Sequence, residues 1–224
     1  MKKFFVGTVT ACLLLTGCGD DESKVVDKPT VDKPPEVVRH EPSHVRREVS
    51  DQSSDTPTNV YMNRLTANYD KRNYREAVSD ADEVIRTDPT NIDAHIYRGY
   101  AYSTLGNYRA AVADFTKVLE LDPKNLDAYF GRGVALANLG DYNNAVADFD
   151  KLIALNPLDV DNYESRGMIY GNMGKFAKAL ADFDTVIELR PTVEAYQQRA
   201  KCHEALGNND KAQADLAKAR ELSQ

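Results

Sequence analysis

The chain has 224 residues, room for one or two domains, and a formal charge of −7 from 28 Lys+Arg against 35 Asp+Glu. An acidic balance with no basic stripe excludes a nucleic-acid binder, because phosphate contacts need clustered Lys and Arg to displace counterions. Cys12, Cys18 and Cys202 cannot build a disulfide framework.

Residues 1–17 read as a secretory signal. Lys2 and Lys3 give the positive start, Phe4 to Thr16 the apolar stretch, and Gly17 the small residue before cleavage. The stretch is too short for a bilayer span, which needs about 20 residues. Leu15-Thr16-Gly17-Cys18 resembles a bacterial lipobox, which implies that Cys18 becomes the lipidated first residue of the mature protein. Several acyl chains hold stably, at about 0.8 kcal/mol per buried CH₂. In lipoproteins of this kind an aspartate directly after the cysteine favours the inner membrane. Here Gly19 takes that place and Asp20 follows, so the resemblance points to the outer membrane, facing the periplasm.

Residues 18–57 read as a disordered tether. Pro29, Pro34, Pro35, Pro42 and Pro57 recur, no aromatic residue is present, and Val26-Asp27-Lys28-Pro29 is nearly repeated as Val31-Asp32-Lys33-Pro34. Such a segment buries too little apolar surface to offset its ordering entropy. As a flexible chain it spans roughly 35 Å. His40-Glu41-Pro42-Ser43-His44 matches the spacing of zinc peptidases, whose chemistry needs both histidines on one helical face. Pro42 breaks that helix, so no metal site is expected.

From residue 58 the chain repeats itself. Pro89, Pro123, Pro157 and Pro191 fall 34 residues apart, the period of a solenoid. Five units are expected, at 58–91, 92–125, 126–159, 160–192 and 193–224, each of two helices. The first helices are predicted over 59–71, 93–105, 127–139, 161–173 and 194–206. The second are predicted over 74–87, 108–121, 142–155, 176–189 and 209–222. Gly106, Gly140, Gly174 and Gly207 sit where a helix ends, and each proline follows a second helix. Asn91, Asn125, Asp159 and Thr192 are placed to cap the next first helix. Gly99, Gly133 and Gly167 lie mid-helix, where glycine costs about 1 kcal/mol, so close helix approach is expected. Ala77, Ala111, Ala145, Ala179 and Ala212 are read as the small partners across that approach, with Phe115, Phe149, Phe183 and the Tyr61, His95, Tyr129, Tyr163, Tyr196 register filling larger holes.

The small residue in the eighth place, Ala111, Ala145 and Ala179 in the twentieth, the phenylalanines in the twenty-fourth and the prolines in the thirty-second are all present in the middle three units. On these residues the chain resembles the tetratricopeptide-repeat family, over about three quarters of its length. The resemblance implies an all-α right-handed superhelix of helical hairpins. Tyrosine or histidine stands where the family usually has tryptophan. In the first unit Leu65 and Ala81 replace the glycine and phenylalanine, and in the last Ala200 and Leu216 do, as expected of end units.

A second regularity is a spacing of 16 between Arg64 and Asp80, Arg98 and Asp114, Arg132 and Asp148, Arg166 and Asp182, and Arg199 and Asp215. It predicts five structural ion pairs, one inside each hairpin. Five equivalent copies do not make a catalytic site. No nucleophile–base pair, phosphate loop or carboxylate cleft is present, His95 and His203 occupy packing registers, and Cys202 replaces small core residues. Neither an enzyme nor a cofactor or small-molecule substrate is expected.

The family lines its inner wall with fixed places of each first helix. Carried over, these give a partner-binding wall of Met62, Thr66, Tyr69, Ile96, Tyr100, Phe130, Val134, Asn138, Met168 and Asn172. The apolar members form a stripe whose exposure would mark an interaction site. The wall's cation is Lys201, beside Glu204, so clamping of a peptide carboxylate is not expected. An apolar protein segment, extended or helical, suits the wall better. The sequence thus points to a lipid-anchored adaptor holding a protein partner in the cell envelope, with self-association as the alternative.

Overall fold

The computed structural model describes residues 56–224; the signal, Cys18 and all of the tether before Thr56 lie outside the described residues. Among the described residues the fold is all-α: ten helices pair as consecutive hairpins. They are α1 (Pro57–Asp70), α2 (Tyr74–Thr87), α3 (Ile92–Thr104), α4 (Tyr108–Leu121) and α5 (Leu126–Asn138). They continue as α6 (Tyr142–Leu155), α7 (Val160–Asn172), α8 (Phe176–Leu189), α9 (Val193–Ala205) and α10 (Asn209–Leu222). The second helix of every hairpin has the bounds expected from sequence. The first helices of the later four hairpins begin and end one residue earlier than expected, and α1 begins two earlier, at Pro57. Proline suits the first helical position because its missing N–H would have no intrahelical acceptor there.

Local chemistry sets these limits. Asn91 and Asn125 each accept the backbone N–H three residues on, at 2.9 Å. Thr192 does the same for α9 at 3.1 Å, and Asp159 caps α7 by accepting the Asp161 N–H, two residues on, at 3.2 Å. At the far end of each first helix the chain turns through a left-handed residue, Gly106 with φ +79° for example. In the first hairpin that place is taken by Arg72, at φ 64°.

The mid-helix glycines meet rings, and this corrects the expected alanine partners. A Cβ on Gly99 would lie 2.9 Å from Phe115 Cζ, one on Gly133 3.0 Å from Phe149 Cε2, and one on Gly167 3.1 Å from Phe183 Cζ. Phe115 is gripped from the other side as well, because Gly131 of the next hairpin presses on the same ring. The ring thus lies sixteen residues from a glycine in each direction. The first hairpin solves the same space in reverse, with buried Leu65 on α1 and Ala81 on α2. The alanines instead complete the buried clusters, Ala111 beside Phe115 and Val118, and Ala145 beside Phe149 and Leu152.

Neighbouring first helices touch, α1 with α3, α3 with α5 and α7 with α9, whereas successive second helices do not come as close. The first helices therefore form the inner layer of the stack. The exception is the pair α5 and α7, and α6 with α7 is the thinnest joint between consecutive hairpins. Side-chain bulk accounts for this. The buried residues that α7 turns to that joint are Asn162, Ser165 and Ile169, where α5 has Ala128, Gly131 and Ala135. Larger contact residues hold helix axes further apart.

Candidate functional site

The arginine–aspartate spacing resolves into a ladder. Each aspartate is buried on its second helix and faces its own arginine. Arg132 donates from Nε to Asp148 Oδ2 at 2.9 Å and from Nη2 to Oδ1 at 2.7 Å. The same fork joins Arg98 to Asp114, Arg166 to Asp182 and Arg199 to Asp215, and Arg64 holds Asp80 through a single oxygen. The remaining guanidinium nitrogen reaches backwards to the preceding hairpin: Arg98 to Asp82 at 2.6 Å, Arg166 to Asp150 at 2.5 Å and Arg199 to Asp184 at 2.8 Å. Sequence reasoning missed this second set, although Asp82 and Asp150 lie sixteen residues before their arginines. Burial works against charge on Arg98 and Arg166, but the paired carboxylates outweigh it and raise both pKa values. Burial also lifts the Asp182 carboxyl, against the pull of Arg166.

The aromatic register beside the ladder is shared between packing and charge. The guanidinium carbons of Arg64, Arg132, Arg166 and Arg199 stand 5.0, 5.8, 5.7 and 5.6 Å from the ring centres of Tyr61, Tyr129, Tyr163 and Tyr196. In the second hairpin His95 replaces the tyrosine and bonds instead, Nδ1 to Asp114 Oδ1 at 2.9 Å and Nε2 to the Pro89 carbonyl at 3.1 Å. Cys202 is buried, and desolvation pushes its thiol up to about 11, so it is a poor nucleophile.

The inner wall is less open than the sequence implied. Ile96, Tyr100 and Phe130, expected to face a partner, are only 3%, 8% and 4% exposed. Tyr100 packs edge-on against Phe115 and donates its hydroxyl to the Asp127 carbonyl of the next first helix, 3.1 Å away. Phe130 stands edge-on to Phe149 at 5.7 Å. These three belong to the core, because the adjoining helix covers them. Tyr69 is partly buried between Tyr74 and Tyr97. Met62, Thr66, Val134, Asn138 and Met168 remain partly accessible and Asn172 is exposed. Asn138 Nδ2 donates to the Val134 carbonyl one turn back. At the rim Arg190 meets Asp161 at 2.5 Å and Glu164 at 3.6 Å.

Among the described residues no group of three or more His, Cys, Asp or Glu is placed to hold a metal ion, and no helix is long and apolar enough to cross a membrane. The His40–His44 motif and Cys18 lie outside the described residues.

An inner helix layer with partly open apolar and polar places, carried on stacked hairpins, defines a helical-repeat scaffold. Tetratricopeptide-repeat profiles match residues 98–160, 160–192 and 193–224, and the chain belongs to that family. Solved structures agree. A crystal structure of MamA protein is 27% identical, with a TM-score of 0.70 over 73% of this chain and 90% of that one. A second MamA crystal structure is 26% identical, with a TM-score of 0.68 over 71% and 94%. MamA 41-end from Desulfovibrio magneticus RS-1, at 23% identity, has the same fold, with a TM-score of 0.72 over 74% and 94%. No curated protein sequence matches the chain. The array is a protein–protein interaction scaffold, of a fold that typically carries no catalysis.

Proposed function

We propose that the protein is a lipid-anchored adaptor of the bacterial cell envelope, which holds a protein partner on the first-helix side of its repeat array. The observation that carries the reading is the inner wall itself. Met62, Val134 and Met168 stay partly accessible there while their neighbours in the same registers are buried. Apolar surface left open on a repeat scaffold is a place for another protein. The lipobox-like Leu15-Thr16-Gly17-Cys18 supports acylation at Cys18, and Gly19 supports the outer membrane, facing the periplasm. The proline-rich segment supports a tether that lets the array work away from the bilayer surface.

The test is photocrosslinking in native cells from a photoreactive residue at Asn172, with exposed Lys151 on the second-helix side as control. An adduct with another envelope protein from position 172 alone is expected. An adduct of twice the protein's own mass would replace the adaptor by a self-associating structural protein, and no adduct at either position removes the reading. Separately, Cys18→Ser is expected to release the protein from the membrane fraction. Retention of that variant would sink the anchor.

A further inference from the structure

One register of the array changes its chemistry once. The place held by Tyr61, Tyr129, Tyr163 and Tyr196 is held in the second hairpin by His95, which is buried beside the α2–α3 connection. In the third hairpin the Tyr129 hydroxyl donates to the carbonyl of Pro123, six residues back, at 3.2 Å. His95 Nε2 meets the carbonyl of Pro89, also six residues back, at 3.1 Å. The acceptor is the same and the donor differs. A phenol keeps its proton well above neutral pH, and an imidazole does not.

The second ring nitrogen decides the charge. Nδ1 lies 2.9 Å from Asp114 Oδ1. Asp114 accepts from Arg98 at both oxygens, from Nε at 2.9 Å and from Nη2 at 2.6 Å, so it is ionised and has no proton to give. The Pro89 carbonyl has none either. Both ring nitrogens therefore face acceptors, whereas a neutral imidazole carries one N–H. Only the imidazolium donates to both, because either neutral tautomer sets a lone pair against an oxygen at hydrogen-bond distance. The surroundings support that charge. Around the ring, among the described residues, stand Asp114 on α4, Arg98 on its own helix and Asp88 at the end of α2. Arg98 gives its remaining nitrogen to Asp82. Thr90 chiefly holds the Asp88 carboxyl below its usual range, and the charge of His95 adds to this. Two cations thus stand among three carboxylates.

We propose that His95 is a pH-operated clasp between the first two hairpins: charged, it ties the α2–α3 connection at Pro89 to Asp114 on α4, and neutral, it lets that connection go. The bond to the carboxylate is the stronger of the two, so the proton leaves from Nε2 and the Pro89 carbonyl loses its donor. The closed clasp holds a proton that the open one gives up. Acid therefore closes it, and pH rising between about 5 and 8 opens it. What loosens is the end of the array that bears Met62, Thr66 and Tyr69, while Tyr129 keeps its bond to Pro123 throughout. The clasp acts with or without a partner on the wall.

The test compares the full chain with His95→Tyr, which keeps a donor for Pro89, as Tyr129 does for Pro123, and has no group that titrates near neutrality. Nitrogen NMR of the natural chain at pH 7, where a free ring is largely neutral, is expected to show protons on both nitrogens of His95. Hydrogen exchange at pH 6 and pH 8, corrected for the intrinsic rate at each pH, then compares α2 and the α2–α3 connection with α8–α10. In the natural chain protection is expected to fall about threefold or more in the first region, the loss of one hydrogen bond, and to hold in the second. In His95→Tyr it is expected to hold in both. His95→Gln, whose amide donates without titrating, takes the place of the tyrosine variant if circular dichroism shows that variant unfolded. A single N–H on the His95 ring at pH 7, an equal change of protection in the two regions, or the same pH response in the variant as in the natural chain overturns the proposal.

Discussion

Arg132 Nη1 lies 3.4 Å from Thr116 Oγ1, at the rung where Arg98, Arg166 and Arg199 meet a carboxylate of the preceding hairpin. The ladder has one neutral rung, and it falls between the second and third hairpins. Thr116→Asp should complete it. Its counterparts are more than half exposed, so the gain is that of a surface pair, about 0.3–1 kcal/mol, and fades with salt. A melting temperature raised by about 1–4 °C at low ionic strength, and by less in high salt, is the expected result.

The fork between Arg132 and Asp148 should be worth more, because Asp148 is buried. Arg132→Gln leaves an uncompensated carboxylate, at a cost of about 2–4 kcal/mol after allowance for the partly exposed arginine. Asp148→Asn should cost less. The double mutant should fall short of the sum of the two, with a coupling of about 1–3 kcal/mol in urea denaturation. Additive effects would mean that the pair contributes no more than its packing.

Glycine to alanine should have opposite signs at two places. Gly131→Ala drives a methyl into Phe115, which cannot retreat because Gly99 closes its other side. Overpacking of about 1–3 kcal/mol exceeds the helix-propensity gain of about 1 kcal/mol, so the variant should melt lower. Gly171→Ala meets nothing and should melt higher, by up to about 4 °C. Circular-dichroism melts of the two variants decide this.

Burial lifts the Glu164 carboxyl above its usual range, Arg190 pulls it down, and Asp161 and Glu194 add to the rise. A folded-state value above the unfolded one makes the protonated form the one that favours folding. That contribution is complete below the ordinary glutamate value of about 4.3 and is lost as pH rises through the raised folded value. Glu164→Gln should therefore melt higher than the natural chain at about pH 7 and match it near pH 4. A variant that melts lower at neutral pH would show that Arg190 outweighs burial.

The period of 34 was enough to place the second helices to the residue, since proline and the left-handed turn punctuate both of their ends. It was also enough to put each arginine opposite its aspartate, because Arg98 and Asp114 share one hairpin and so one local geometry. Depth was not legible. Ile96, Tyr100 and Phe130 hold the registers of Met62, Thr66, Val134, Glu164 and Met168, yet they are covered. The cover comes from a neighbouring hairpin, as when the Asp127 carbonyl takes the Tyr100 hydroxyl. A repeat pattern fixes which way a side chain points along its own helix. How closely the next helix approaches depends on residues such as Ile169, whose bulk the period does not weigh.

Phe115, held by glycines of two successive hairpins, has a mechanical meaning. Pulling those hairpins apart would bare a whole ring at once, so they should resist stretching as one block. The joint after Phe149 has no such grip. Ser165 stands where Gly131 stands, its Oγ buried without a hydrogen-bond partner among the described residues. A load applied along the chain would then part the array first between α6 and α7, leaving a three-hairpin and a two-hairpin piece each still folded around its own rings.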